Sequence, residues 1–139
     1  MGRSAAASCL LVALGAALAA CSGSDKKFDT VDPNLFPTEY KKEVLLTLTS
    51  VLDDPTNIRD AAISDPVLRP AGKEPRYTVC VRLNSRSASH LYTGVKERIA
   101  YFYGGRLNQL IEANEGQCAN AAYKPWPELE KYCLAKSCS

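Results

Sequence analysis

Between Arg76 and Asn84 the chain reads RYTVCVRLN, with Tyr77, Val79, Val81 and Leu83 alternating with Thr78, Cys80 and Arg82. Successive side chains of an extended strand project to opposite faces, so this run has one apolar face for a core and one polar face. A helix cannot use that spacing, and the domain must contain a half-buried sheet. Further on, in KERIAYFYGGRLNQLIEAN, Gly104-Gly105 separates two strand-forming runs. A glycine pair takes the positive φ of a tight turn without steric cost, which predicts an antiparallel hairpin. With a regular two-residue turn, Tyr103 faces Arg106, Tyr101 faces Asn108, Ile99 faces Leu110 and Glu97 faces Glu112.

A different period precedes the sheet. In PTEYKKEVLLTLTSVLDDP, residues 37–55, the apolar Tyr40, Val44, Leu45, Leu48, Val51 and Leu52 recur at spacings of three and four, one stripe of a helix. Pro37 suits a first turn and Glu39 complements the positive helix start. Asp53-Asp54-Pro55 ends it, because proline disfavours helical geometry at the residue before it. NIRDAAISDPVLRP (57–70) predicts only a short strand around Ile58 to Ile63, interrupted at Pro66. PELEKYCLAK (127–136) predicts a short closing helix with Pro127 in its first turn. The expected fold class is α+β: an N-terminal amphipathic helix packed on a small antiparallel sheet, a final hairpin, a short C-terminal helix and disulfide staples.

The first 20 residues do not belong to that domain. Arg3 and the amino terminus make a short basic start, and the 12 residues from Cys9 to Ala20, CLLVALGAALAA, carry no charge. Such a run suits the core of an export signal and falls short of the ~20 residues that span a bilayer. It ends on Leu18-Ala19-Ala20-Cys21, which resembles the lipobox of bacterial lipoproteins. The resemblance implies that a diacylglyceryl group is joined to the Cys21 thiol, that the peptide is cut before Cys21, and that palmitate-type acyl chains anchor the product. Several acyl chains hold a protein far more firmly than one. Ser22, where an Asp would retain an enteric-type lipoprotein in the inner membrane, implies the periplasmic face of the outer membrane. Residues 1–20 are thus expected to be a removed signal peptide, 21–36 the lipidated cysteine with a flexible tether, and 37–139 a single domain.

The order of elements is also similar to a group of small exported proteobacterial proteins with a helix ending in a Leu-x-Asp-Pro stop, a Val-Cys strand, a Tyr-x-Gly loop and a hairpin. The matching residues are Leu52, Asp54-Pro55, Val79-Cys80, Tyr92-Thr93-Gly94 and Phe102, within residues 40–112. The similarity implies the fold and no activity.

Six cysteines occur. Cys9 leaves with the signal and Cys21 takes lipid, which leaves Cys80, Cys118, Cys133 and Cys138, an even number for an oxidising compartment. Three pairings are open. A Cys133–Cys138 bridge would clash with a helix running through Lys136, so Cys80–Cys133 with Cys118–Cys138 is preferred. Zinc and redox sites call for Cys-x-x-Cys, and no such pair occurs. No cofactor or metal is expected.

Candidate chemistry is sparse. His90, the single histidine, lies in SRSASHLYTG beside Ser85, Ser87 and Ser89, where a Ser–His nucleophile pair is conceivable but neighbouring loop positions rarely align one. Glu97 and Glu112, opposed across the hairpin, would stand near ~5 Å apart, a spacing that suits a pair of hydrolase carboxylates. The sole tryptophan, in YKPWP, is expected to pack on the core beside the disulfides or to offer a contact knob.

With Arg3 removed, 16 of the 17 Lys and Arg face 15 Asp and Glu, which argues against a general nucleic-acid binder. Residues 73–106 nevertheless hold seven basic residues against Glu74 and Glu97, interleaved with Tyr77, Tyr92, Tyr101 and Tyr103. Arg98, Tyr101, Tyr103 and Arg106 form the candidate binding face for an anionic partner, a lipid headgroup, a cell-wall carboxylate or an acidic envelope protein. The expected function is a membrane-anchored periplasmic lipoprotein with a non-catalytic binding or structural role in the envelope. The alternative is a cell-wall hydrolase, or an inhibitor of one, that uses the Glu97/Glu112 end or the His90 loop.

Overall fold

The computed structural model describes residues 30–133. The expected signal peptide, Cys21, Ser22 and Cys138 lie outside the described residues. The elements run α1 (Tyr40–Val51), β1 (Asp54–Ser64), β2 (Val67–Ala71), β3 (Glu74–Arg86), β4 (Tyr92–Tyr103), β5 (Arg106–Glu112), β6 (Tyr123–Pro125) and α2 (Pro127–Glu130). Six strands form one antiparallel sheet in the order β5-β4-β3-β1-β6, with β2 also paired to β3. The fold is α+β, with the sheet dominant. Among the described residues no helix is long and apolar enough to cross a membrane.

The 13-residue β3 organises the sheet. One edge carries β4 along most of its length; the other carries β2 against Glu74–Thr78 and β1 against Val81–Arg86, the chain bending between them at Asp65-Pro66. The pattern of residues 57–70 predicts only a short strand here. β1 is 11 residues long but irregular: Asn57 and Asp60 adopt φ of 53° and 55°, and the register with β3 shifts around them. Asn and Asp tolerate that left-handed geometry better than other side chains do, and the kinks break the alternation by which a strand is recognised.

Alternation along β3 sorts the molecule into two cores. Val79, Val81 and Leu83 join Val44 and Leu48 of α1, Ala100 and Phe102 of β4, Trp126 and Leu129 in the larger one. Val44 and Leu48, one turn apart, are fully buried, and Leu48 alone contributes about 2–3 kcal/mol of burial. Tyr40, Leu45 and Leu52 flank them, whereas Val51, assigned to the same stripe, is exposed. The helix begins at Tyr40, three residues later than expected, and the buried Pro37 sits in the preceding turn with its carbonyl accepting from the Tyr40 N–H. Trp126 is a core residue, and its N–H donates to the Ala61 carbonyl.

The other face of β3 points Cys80 into a second, smaller core with Ile99 and Cys118, bordered by Tyr101, Ile111, Ala121 and Tyr123. The loop after β5 folds over this face, and Cys80 is bonded to Cys118 with Cα atoms 5.9 Å apart. The preferred pairing, Cys80–Cys133 with Cys118–Cys138, is therefore incorrect. Cys80 faces away from α1, whereas α2, just before Cys133, docks Leu129 into the α1-side core. Cys133 is itself disulfide-bonded. The closing helix, expected to run to Lys136, ends at Glu130, and Lys136 lies outside the described residues.

The segment assigned to the tether is folded from Val31 onward. The Asp32 carbonyl accepts from Leu35, the Pro33 carbonyl accepts from Gly104, and Phe36 packs edge-on against Tyr77 with ring centroids 5.3 Å apart. The domain thus includes at least the six residues before the expected boundary at 37.

Candidate functional site

The hairpin turns at Gly104-Gly105 as expected, with φ of 56° and 76°, and Tyr103 faces Arg106. The register changes one step later. Phe102 faces Leu107, but Tyr101 faces Gln109, so Asn108 is an extra residue in β5 and forms a bulge. Beyond it Ala100 faces Leu110, Ile99 faces Ile111 and Arg98 faces Glu112. The Glu97/Glu112 pair does not form. Glu97 faces Arg82 across the β3–β4 ladder and accepts a 2.8 Å hydrogen bond from the Tyr123 hydroxyl. Burial, then that bond to Glu97, raises the Tyr123 pKa well above its ordinary value.

The expected binding face divides as well. Strand alternation puts Arg98, opposite Val81, on the α1 side of the sheet and Tyr101, opposite Thr78, on the disulfide side. Tyr101 is half-buried in the second core, its hydroxyl accepting from Gln117 at 3.3 Å. Tyr103 lies under the Arg76 guanidinium, 4.9 Å from ring centroid to carbon, and Arg106 is paired through Nε with Glu43 of α1 at 2.6 Å. Arg98 lines a cleft with two further basic residues, Arg86 and Lys96, whereas Arg106 lies beside Lys42 together with Glu39 and Glu43.

That cleft, about 260 Å³, opens where the C-terminal end of α1 passes over the β3–β4 end of the sheet. Arg86, Lys96 and Arg98 line it, with Ser85, Ser87, Thr93, Asp53 and Glu112. Lys96 and Arg98 are two apart on β4 and so share the α1 face. The Arg98 side chain is four-fifths buried, and its contact with the exposed Glu112 carboxylate is long, 4.0 Å. Among the described residues Lys96 has no ion-pair partner.

Arg86 is committed elsewhere. Its Nη2 lies 2.6 Å from Oδ2 of the buried Asp54, while its Nε is buried without a hydrogen-bond partner among the described residues. Asp54 also accepts from the Thr56 hydroxyl at 2.6 Å, the Thr56 N–H at 3.0 Å and His90 Nδ1 at 3.1 Å. The Thr56 hydroxyl above all, then the Thr56 N–H, His90 and Arg86, hold the Asp54 carboxyl well below the usual carboxylate range against the opposing effect of burial. His90 itself adopts φ of 62° in the β3–β4 loop. The hydroxyls of Ser87 and Ser89 bond to each other at 2.9 Å, and among the described residues no serine hydroxyl bonds to His90. The cluster fastens the β3–β4 loop to the start of β1. Nothing in the sequence singled out Asp54 as the partner of His90, since 36 residues separate them.

Among the described residues no group of three or more His, Cys, Asp or Glu side chains is placed to hold a metal ion. Comparison with protein-family models, with curated proteins and with solved structures finds no match to this chain.

Proposed function

We propose that this protein is a lipid-anchored lipoprotein of the periplasmic face of the outer membrane that binds a carboxylate-bearing envelope ligand without catalysing a reaction. The binding reading rests on one observation: Lys96, with no ion-pair partner among the described residues, stands beside the largely buried, loosely paired Arg98 in a polar cleft. A planar guanidinium offers two parallel donors to a carboxylate, and an ammonium supplies a point charge. Asp53 and Glu112 keep the net charge of the lining low, so the cleft suits a single carboxylate better than a polyanion. The exposed Glu112 side chain can leave Arg98 when a ligand carboxylate arrives. The anchoring reading is supported by Leu18-Ala19-Ala20-Cys21 and the uncharged run before it.

The hydrolase alternative loses the Glu97/Glu112 pair on which it drew. Its remaining support is His90, whose Nδ1 is oriented by Asp54 while most of the ring faces solvent.

Titration of the purified full-length lipoprotein with short peptides bearing a free C-terminal carboxylate, and with their amides, tests the binding reading. The free carboxylates should bind and the amides should not, with Lys96→Ala and Arg98→Ala each lowering affinity about tenfold. Equal binding of acid and amide, or indifference to both substitutions, rejects it. Cys21→Ser should abolish processing and membrane fractionation; unaltered maturation would reject the anchor.

A further inference from the structure

The end of the sheet opposite the cleft carries an apolar cap. Val31, Leu35, Phe36 and Tyr103 are each 46–57% exposed. The Gly104-Gly105 turn joins them: Val31 and Leu35 lie directly over the two glycines, where a β-carbon would stand 2.5 Å and 3.2 Å from their side chains. Tyr103 immediately precedes the turn and Phe36 follows Leu35. Arg76, stacked on Tyr103, and the largely exposed Arg106 border the cap.

We infer that this cap is the face on which the domain rests against the lipid surface, with Val31, Leu35, Phe36 and Tyr103 in the interfacial layer and Arg76 and Arg106 at headgroup level. The inference rests on the anchored reading and adds an orientation to it. Two observations support it. Nine residues, 22–30, separate Cys21 from Val31, a reach of about 35 Å at most, and Val31 is itself part of the cap. The domain is therefore tethered at a point where four exposed apolar side chains are grouped, although Val51, Leu91 and Val95 are also exposed at the far end. Leu, Val, Phe and Tyr beside Arg are also the residue types that partition into the boundary between acyl chains and headgroups. The 12 residues of β4 separate the cap from the loop at Leu91 by roughly 35 Å, so the Lys96/Arg98 end would point away from the bilayer.

The test uses the full-length lipoprotein reconstituted in vesicles of phosphatidylethanolamine and phosphatidylglycerol with brominated acyl chains. Tryptophan is placed by Leu35→Trp or Tyr103→Trp in the cap and by Leu91→Trp at the far end; the buried Trp126 supplies a constant background. Flotation reports the anchor and quenching reports the orientation. Floating protein with quenching at 35 and 103 about threefold deeper than at 91 is the expected result. Floating protein with equal quenching at both ends overturns the inference and leaves the anchor standing. So does floating protein whose cap tryptophans are shielded from aqueous iodide but not quenched by bromine, since a protein partner or second copy then covers the cap. Protein that fails to float overturns both.

Discussion

Glu112 faces Arg98 across the β4–β5 ladder, with 4.0 Å between Oε1 and Nη2. A regular hairpin from the same turn would have set Glu112 against Glu97, and the two registers predict opposite signs for one substitution. In the bulged register Glu112→Lys sets two cations face to face and should cost about 0.5–1 kcal/mol; in the regular one it would relieve carboxylate repulsion. Urea midpoints of the parent and Glu112→Lys proteins at low salt decide between them. A stabilised variant would contradict the bulge at Asn108.

Arg86 and Asp54 should behave as a buried pair. Arg86→Met leaves the Asp54 carboxylate buried without its guanidinium and should cost about 3–5 kcal/mol. Adding Asp54→Asn to Arg86→Met should recover a large part of that loss. A double-mutant cycle by chemical denaturation measures the coupling, and additive losses would mean that the two side chains act independently.

The same carboxylate predicts an acid limb to stability. Because folding lowers the Asp54 pKa, its contribution is complete above the unfolded value near ~4 and is lost as pH falls from there toward the folded value. The Asp54→Asn protein should be less stable than the parent at pH 7, and the gap should narrow below about pH 4. Stability of both proteins followed by urea unfolding from neutral to acid pH is the check, and a gap constant across that range would remove Asp54 from the account.

Cys80–Cys118 closes a loop of sequence separation 38. Chain entropy assigns such a loop about 4 kcal/mol, so Cys80→Ala with Cys118→Ala should lower stability by about 3–4 kcal/mol. The larger core on the α1 side does not depend on this bridge, so the double variant should still fold at low temperature. Circular dichroism and urea titration of the variant show both effects.

His90→Ala separates the binding and hydrolytic readings. It removes one of several bonds to Asp54 and should cost about 1 kcal/mol or less, with ligand affinity unchanged, because His90 does not line the cleft. Loss of a cell-wall lytic activity in this variant, with binding by Lys96 and Arg98 intact, would favour the hydrolase.

Local periodicity determined much of the fold. The alternation in RYTVCVRLN, the three-and-four spacing from Tyr40 to Leu52 and the Gly104-Gly105 pair are short-range patterns, and they correspond to β3, α1 and the β4–β5 turn. Elements whose geometry departs from those patterns were not legible. β1 is kinked at Asn57 and Asp60, β2 carries Pro70, and the three residues of β6 are too few to show a period. The apolar Val31, Leu35 and Phe36 inside a polar stretch were the available sign that the supposed tether folds.

Tertiary structure alone decided which residues meet. One extra residue at position 108 exchanged Glu97 for Arg98 as the neighbour of Glu112, because a strand presents alternate side chains to opposite faces and a single-residue shift changes every facing pair beyond it. The loop folded over one face of β3 chose Cys118 for Cys80, and a 36-residue excursion brought Asp54 to His90. Sequence spacing carries information about neighbours along a helix or strand; partners across a sheet depend on bulges and loop paths, whose energies are settled only when the whole core packs.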